Sequence, residues 1–377
     1  MGIGFIQGST LGNEGVMDSF AFIIHPIDPK RDVARKYPFL GKILPEGTIH
    51  FLSRFWPPVY ISHITGIRSE ATGKEIEGWL IAVPYTAQRM ITLPPAEVYR
   101  KIVAAGVMAR ELGAKVLGLG AYTSVVGDGG ITIARELDIA VTTGDSYTAA
   151  IAVHATRDAA RQMRVDLPRA TVAVVGASGA IGAAVSQMLA PDAGRLMLIG
   201  RRLERLEEVA ERVRGAGARE VTLSTEVADI REAEVVMTVT SAGGNLLKPE
   251  YLRRGAVVCD VSRPRDVSSE VAQSRKDVLV LDGGLVRVPG KVDFGFNYGV
   301  PPEMTYGCMA ETMTLTFEGR FEDYTVGKDL RVEQILEIDA LATRHGFRLA
   351  ALRSFERKLD DAIIEGVKAR AHAGGVE

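Results

Sequence analysis

The chain has 377 residues, 46% hydrophobic and 24% charged, which suits a globular protein of two or three domains and excludes a disordered one. Lys and Arg total 45 against 47 Asp and Glu, a net charge of −2, so the balance gives no reason to expect a nucleic-acid partner. Two cysteines, Cys259 and Cys308, exclude a disulfide scaffold and fit a reducing cytoplasm.

Residues 1–16, MGIGFIQGSTLGNEGV, are glycine-rich and aperiodic and read as a solvated, disordered leader. A first α/β region spans 17–145. Phe20 to His25 predicts a strand, and Asp28 to Tyr37 a short polar helix with Pro29 at its start. Phe39 to Tyr60 is crowded with aromatics and prolines. Val59 to Ile67 and Glu75 to Val83 read as strands around the turn SEATGK. Pro95 to Leu112 is an amphipathic helix stopped by Gly113, Lys115 to Leu119 a buried strand, and Val141 to Thr143 another.

Asp145 to Arg164 reads as a long helix leading into a second region, 146–300. There strands and helices alternate: Thr171–Val175, Ile181–Leu189, Leu196–Ile199, Arg202–Arg214, Val221–Leu223, Val235–Thr240, Val257–Val261 and Val278–Leu281. That rhythm predicts a Rossmann-like, doubly wound parallel sheet. Residues 301–377 form a C-terminal helical segment, with helices over 309–319, Val332 to Arg344 and Ser354 to Ala371. The uncharged run Ala170 to Pro191 imitates a membrane span, but three glycines and two serines interrupt it.

Gly176, Gly179 and Gly182 follow the first strand of this sheet and open a helix at Ala180 and Ile181. A tight turn, close approach to a pyrophosphate and helix–strand packing all require glycine here. The helix N-terminus supplies free N–H groups, and Ser178 adds a hydroxyl. After the second strand an acid would select NAD. Arg201 and Arg202 stand there instead, suiting the 2′-phosphate of NADP(H). Thr240, Ser241 and Gly283 end later strands and border the expected crevice, a composition also ordinary for loops. No metal motif is present.

Cys308 begins a helix after Gly307, where a helix N-terminus acidifies a thiol; a small buried hydrophobe is the alternative. Several segments then carry a resemblance: HITGIRSEATGKEIEG (63–78), GAYTSVVGDG (120–129), TTGDSYTAA (142–150), TVAVVGASGAIGAAV (171–185), LDGGLV (281–286) and GCMAETMTLTFEG (307–319). In this order they resemble the long-chain acyl-[acyl-carrier-protein] reductase family, from about Met17 to about Ala351. The resemblance implies an NADPH-dependent reduction of a fatty acyl thioester, on acyl carrier protein or CoA, to an aldehyde. It puts Cys308 on the family's nucleophile and makes 17–145 the substrate domain. Thr123 and Ser124 become candidates for stabilising an oxyanion, and Asp145 and Glu311 candidate supports. Asp145 stands where the family often has asparagine, the stretch Gly290 to Val300 differs in length, and the tail is longer. For such a reductase the apolar stretch 39–60 would serve as core, as an acyl entrance, or as a transient membrane-surface contact. The rivals are a shikimate dehydrogenase-like enzyme acting on a small carbonyl acid and a non-catalytic NADP(H)-binding protein.

Overall fold

Ser19–Ile24 (β1) is a run with five of six residues buried, as a strand covered on both faces must be. The computed structural model describes residues 17–26, 29–241, 244–262, 265–283, 285–355 and 357–373. The leader expected at 1–16 lies outside them. After β1 come three short helices, Pro29–Lys36 (α1), Pro38–Ile43 (α2) and Glu46–Ser53 (α3). The sequence left the last two unassigned. Val59–Arg68 (β2) and Glu75–Ala82 (β3) form an antiparallel pair. Ala87–Thr92 (α4) and Pro95–Glu111 (α5) follow, then Val116–Leu119 (β4), Tyr122–Val125 (α6), Ile131–Glu136 (α7) and Ala140–Thr142 (β5).

Asp145–Gln162 (α8) leads into the second sheet. Its elements are Thr171–Val175 (β6), Ala180–Leu189 (α9), Arg195–Ile199 (β7), Leu203–Gly215 (α10), Val221–Ser224 (β8), Val235–Thr238 (β9), Val257–Asp260 (β10), Ser269–Ser274 (α11) and Leu279–Asp282 (β11). Every pairing is parallel, in the order β8-β7-β6-β9-β10-β11. The direction of winding reverses between β6 and β9, which defines a Rossmann-type doubly wound sheet with its ligand crevice at that switch point.

Three short strands follow that the sequence did not reveal: Leu285–Arg287 (β12), Gly290–Asp293 (β13) and Met304–Tyr306 (β14). β13 pairs with β2, completing a first sheet of order β13-β2-β3-β1-β4-β5. The expected boundary at residue 300 therefore needs correction, because 290–293 belong to the first sheet. Gly307–Glu318 (α12), expected in a separate C-terminal region, packs on α8 and on β4, β1 and β3. Ten of its twelve residues are buried, as a helix covered on all sides requires. The threonines among them donate back one turn, Thr312 to the Cys308 carbonyl and Thr316 to that of Thr312, which satisfies their hydroxyls without water. Gly118 of β4 has no room for a side chain, since a Cβ there would lie 2.2 Å from Thr312 Oγ1.

Val332–His345 (α13) covers α8 and α12, and Arg348–Leu349 (β15) pairs with β12. The single helix expected from Ser354 begins later. Arg353–Ser354 (β16) and Arg357–Lys358 (β17) make a hairpin first. Asp360 then caps Asp361–His372 (α14) by accepting the Ile363 N–H.

Candidate active site

The glycine turn sits at the switch point. Gly176 has φ +86°, and a Cβ on it would lie 2.6 Å from the Val239 carbonyl oxygen. A Cβ on Gly182 would meet the Gly176 oxygen at 2.1 Å, so α9 approaches β6 as closely as backbone permits. Gly179 has nothing nearer than 3.3 Å and leaves space at the helix tip. No side chain caps α9, so the N–H groups of Ala180, Ile181 and Gly182 have no intrahelical acceptor. Exposed Ser178 reaches the end of β7, its Oγ 3.2 Å from where a Gly200 Cβ would sit. Arg201 and Arg202 follow directly. Both are exposed and, among the described residues, neither side chain makes an ion pair or a hydrogen bond. Free N–H groups, a hydroxyl and two unengaged guanidinium groups around an open cradle fit a phosphorylated dinucleotide.

Thr240 borders the same point, its methyl 3.1 Å from a Gly176 Cβ position. Its hydroxyl donates to Asp266, a buried carboxylate that also accepts from Thr238 and Ser262 and so holds this loop in shape. Ser241 is exposed beside it, and Ala242, Gly243 and Gly284 of these loops lie outside the described residues. Gly283 is buried. A Cβ there would press on Val261 and on the Cys259 sulfur at 3.0 Å, so packing explains this glycine. Cys259 itself is core.

Cys308 lies in the first turn of α12, whose tip abuts the tip of α8. A Cβ on Gly144, the α8 N-cap residue at φ +74°, would lie 2.2 Å from Cys308 Cα. Helix α8 gives a ruler between this contact and the second sheet. Its Ala152 carbonyl is 3.9 Å from the Cys259 sulfur in β10. Asp145 is two helical turns earlier, roughly 10 Å further along the axis. Because α8 returns to β6 through a short link, its N-terminus extends past the carboxyl ends of the parallel strands. Ligands of such sheets bind on that side.

The electrostatics correct one expectation. Cys308 keeps part of its surface open, yet its thiol is pushed up to about 12, first by burial and then by the charge of Asp145. Hydrogen bonds from the N–H groups of Met309 and Cys308 favour the thiolate but are outweighed. Asp145 is itself pushed up to about 7, by burial and then by Glu311, against a bond from Thr143. Glu311 does not face solvent. Fully buried, it accepts from the hydroxyls of Thr142 and Thr325 and from the Tyr147 N–H at 2.8 Å. Gly144 offers no side-chain cap, so Glu311 caps α8 from the neighbouring helix and locks the two helix tips together.

Thr123 and Ser124 are buried, and their hydroxyls donate to the carbonyls of Gly120 (2.8 Å) and Ala121 (2.6 Å). These protons are engaged in capping the loop and are not available to an oxyanion. The sequence reading missed His25, at the carboxyl end of β1. Its Nδ1 is 3.1 Å from the Pro26 oxygen, and its Nε2 lies 3.2 Å from the Tyr122 N–H, which donates to it. The preceding Ala121 holds φ +48°, strained for a residue with a Cβ. Burial, and then the charge of Asp266, push the Tyr122 hydroxyl up. A lone histidine ending an apolar strand was the available signal.

Fold and cradle together define a dinucleotide-binding oxidoreductase of the Rossmann class. Residues 158–282 match the family model described as Shikimate / quinate 5-dehydrogenase. The long-chain acyl-[acyl-carrier-protein] reductase of Synechococcus elongatus is 30% identical over 317 residues, covering 79% of this chain and 90% of that protein. The chain belongs to that reductase's family. It is also 31% identical over 313 residues to the aminotransferase PigE of a Serratia species, covering 81% of this chain but spanning only 36% of PigE. Among solved structures, L-tryptophan dehydrogenase from Nostoc punctiforme aligns over 95% of this chain and 89% of its own, with 15% identity and a TM-score of 0.38.

Proposed function

We propose that this protein reduces an acyl thioester to an aldehyde with NADPH, through an acyl group held on Cys308. The observation that carries the reading is the seat of Cys308: a partly open thiol at a helix tip, roughly 10 Å along α8 from the carboxyl edge of a dinucleotide-binding sheet. Kinship with an acyl-[acyl-carrier-protein] reductase supports a thioester substrate, on acyl carrier protein or CoA.

In the mechanism, Gly176, Gly179 and Gly182 with the N–H groups of Ala180 and Ile181 would hold the pyrophosphate, Ser178, Arg201 and Arg202 would hold the 2′-phosphate, and Thr240 and Ser241 would border the bound cofactor. When bound, NADPH supplies a hydride. Cys308 sulfur attacks the thioester carbonyl as its proton passes to Asp145, the carboxyl beside it. The carbon–sulfur bond to the carrier breaks, and the carrier leaves as its thiol with that proton. Reduction of the acyl group, with uptake of one proton from solvent, leaves a thiohemiacetal on Cys308. Loss of its hydroxyl proton and cleavage of its carbon–sulfur bond release the aldehyde and return the Cys308 thiol. Through both steps, the N–H groups of the first turn of α12 stabilise charge on the carbonyl oxygen.

The match to the shikimate and quinate dehydrogenases ends at residue 282, short of Cys308, and so does not favour a small carbonyl acid. Cys308→Ala should bind NADPH normally, form no aldehyde, and gain no acyl mass when incubated with acyl thioester alone. The unmodified protein should gain one acyl group. Full turnover by the alanine protein, or equal acylation of both, overturns the reading.

A further inference from the structure

Helices α2 and α3 are built inside out. An amphipathic helix ordinarily hides its large apolar side chains and shows polar ones. Here α2 buries Gly41, where a Cβ would lie 2.4 Å from that of Ala34 in α1, and leaves Phe39 and Ile43 exposed by 74% and 59%. α3 buries Ile49 and Ser53 and leaves Phe51 exposed by 62%, and Phe55, in the turn that follows, is exposed by 67%, the two rings 5.5 Å apart. Phe39 and Ile43 are four residues apart, on one face of α2. Of fifteen large hydrophobic residues exposed among the described residues, seven fall between Tyr37 and Tyr60. The surface is therefore concentrated, not the scatter ordinary on proteins.

Its charge is also distinct. Between Pro29 and Trp56 the sequence carries the cations Lys30, Arg31, Arg35, Lys36, Lys42 and Arg54 against the acids Asp32 and Glu46, in a chain whose overall charge is −2; Arg31 and Arg35 pair with Asp32, and Arg54 with Glu97. Exposed aromatic and aliphatic side chains in a segment rich in cations match the boundary of an anionic bilayer, where rings would sit at the level of the acyl chains and ammonium and guanidinium groups at the phosphates. No described helix is long and apolar enough to cross a membrane, which leaves contact from one side.

We infer that α2 and α3 form a peripheral membrane-binding surface that seats this protein on anionic lipid. The inference rests on the surface alone and stands or falls apart from the chemistry at Cys308. A membrane seat would let an apolar substrate or product pass to and from lipid.

The test is co-sedimentation of the whole protein with vesicles of phosphatidylglycerol and, in parallel, phosphatidylcholine. Binding is expected to phosphatidylglycerol, to weaken with salt, and to be slight with phosphatidylcholine. Phe39→Ser, Phe51→Ser and Phe55→Ser combined should lower the partition coefficient by about tenfold or more. Lys42→Glu, at an exposed position, should lower it severalfold and covers the case in which the triple variant does not fold. NADPH binding by each variant reports an intact fold. Absence of binding to anionic vesicles at low salt, or equal binding by the folded triple variant, overturns the proposal. So does a dimer that the serines dissociate, which would make the patch an interface between copies. Loss of binding to an acidic carrier protein, with no vesicle binding at any point, would assign it to that partner instead.

Discussion

Cys308 and Asp145 both resist ionising in a site poor in water, and each has an anionic neighbour that adds to the cost, Asp145 for Cys308 and Glu311 for Asp145. Burial is the larger cause for both. Asp145→Asn removes the neighbouring charge and should lower the thiol pKa, raising the alkylation rate of Cys308 by iodoacetamide near pH 8 severalfold. The same variant has a stability signature. A carboxyl raised from 3.8 to about 7 in the fold binds its proton more tightly when folded. Its contribution is therefore fully present below pH 3.8 and is lost as pH rises towards 7. The melting temperatures of Asp145→Asn and the unmodified protein should differ little below pH 3.8, separate in favour of asparagine as pH rises from there to about 7, and keep that gap above it. A constant gap across pH, or unchanged alkylation, would show that Asp145 does not charge beside Cys308.

Individual elements owe their placement to partners elsewhere in the chain. Helix α8 takes its N-terminal cap from Glu311 of α12. A second such link resembles chemistry but is not. Ser69 Oγ lies 2.7 Å from His345 Nδ1, and His345 Nε2 contacts Glu318, the order of a hydrolase triad. Ser69 is only 2% exposed, so substrate cannot reach it. The chain of bonds instead pins the turn between β2 and β3 to the end of α13, helped by the Glu70 N–H donating to the His345 carbonyl. The turn between β7 and α10 carries a different kind of feature, two arginines with nothing to bind in the described chain. Arg201→Asp or Arg202→Asp should cost about 1–3 kcal/mol in NADPH binding, read as a rise in Kd, and leave NADH binding nearly unchanged. Equal affinity of the unmodified protein for the two cofactors would remove the role given to these residues.

The whole molecule is interlaced. The chain builds most of the first sheet, crosses on α8, builds the second, and returns with β13 and α12 to finish the first. Residues 17–145 alone would lack the edge strand beside β2 and the helix that covers β4, β1 and β3, exposing the buried side chains of Phe20, Phe22 and Leu80. Expressed separately, this fragment should show exposed apolar surface by dye binding and no cooperative melting transition, whereas the full chain should melt cooperatively. A sharp transition in the fragment would make the first sheet an independent domain.

Local chemistry was legible where a short stretch carries its own constraint. The glycines at 176, 179 and 182 read as a phosphate cradle because the turn, the helix tip and the packing all act within seven residues. The parallel strands read as apolar runs for the same reason, and a helical pattern located α12 with Cys308 at its start. Residue spacing could not tell which way a small helix faces. The run from Phe39 to Tyr60 reads equally as core, acyl entrance or membrane contact, and only the packing of Gly41 on Ala34 shows that α2 turns Phe39 outward. Nor could it foretell the thiol's ionisation. A helix tip alone acidifies a cysteine, but desolvation and the Asp145 carboxyl arrive from parts of the chain distant in sequence. The strand at 290–293 has too few residues to show a period, and it forms because β2 offers an open edge. Short-range geometry is written in the sequence, whereas burial, electrostatic neighbours and sheet edges exist only once distant segments meet.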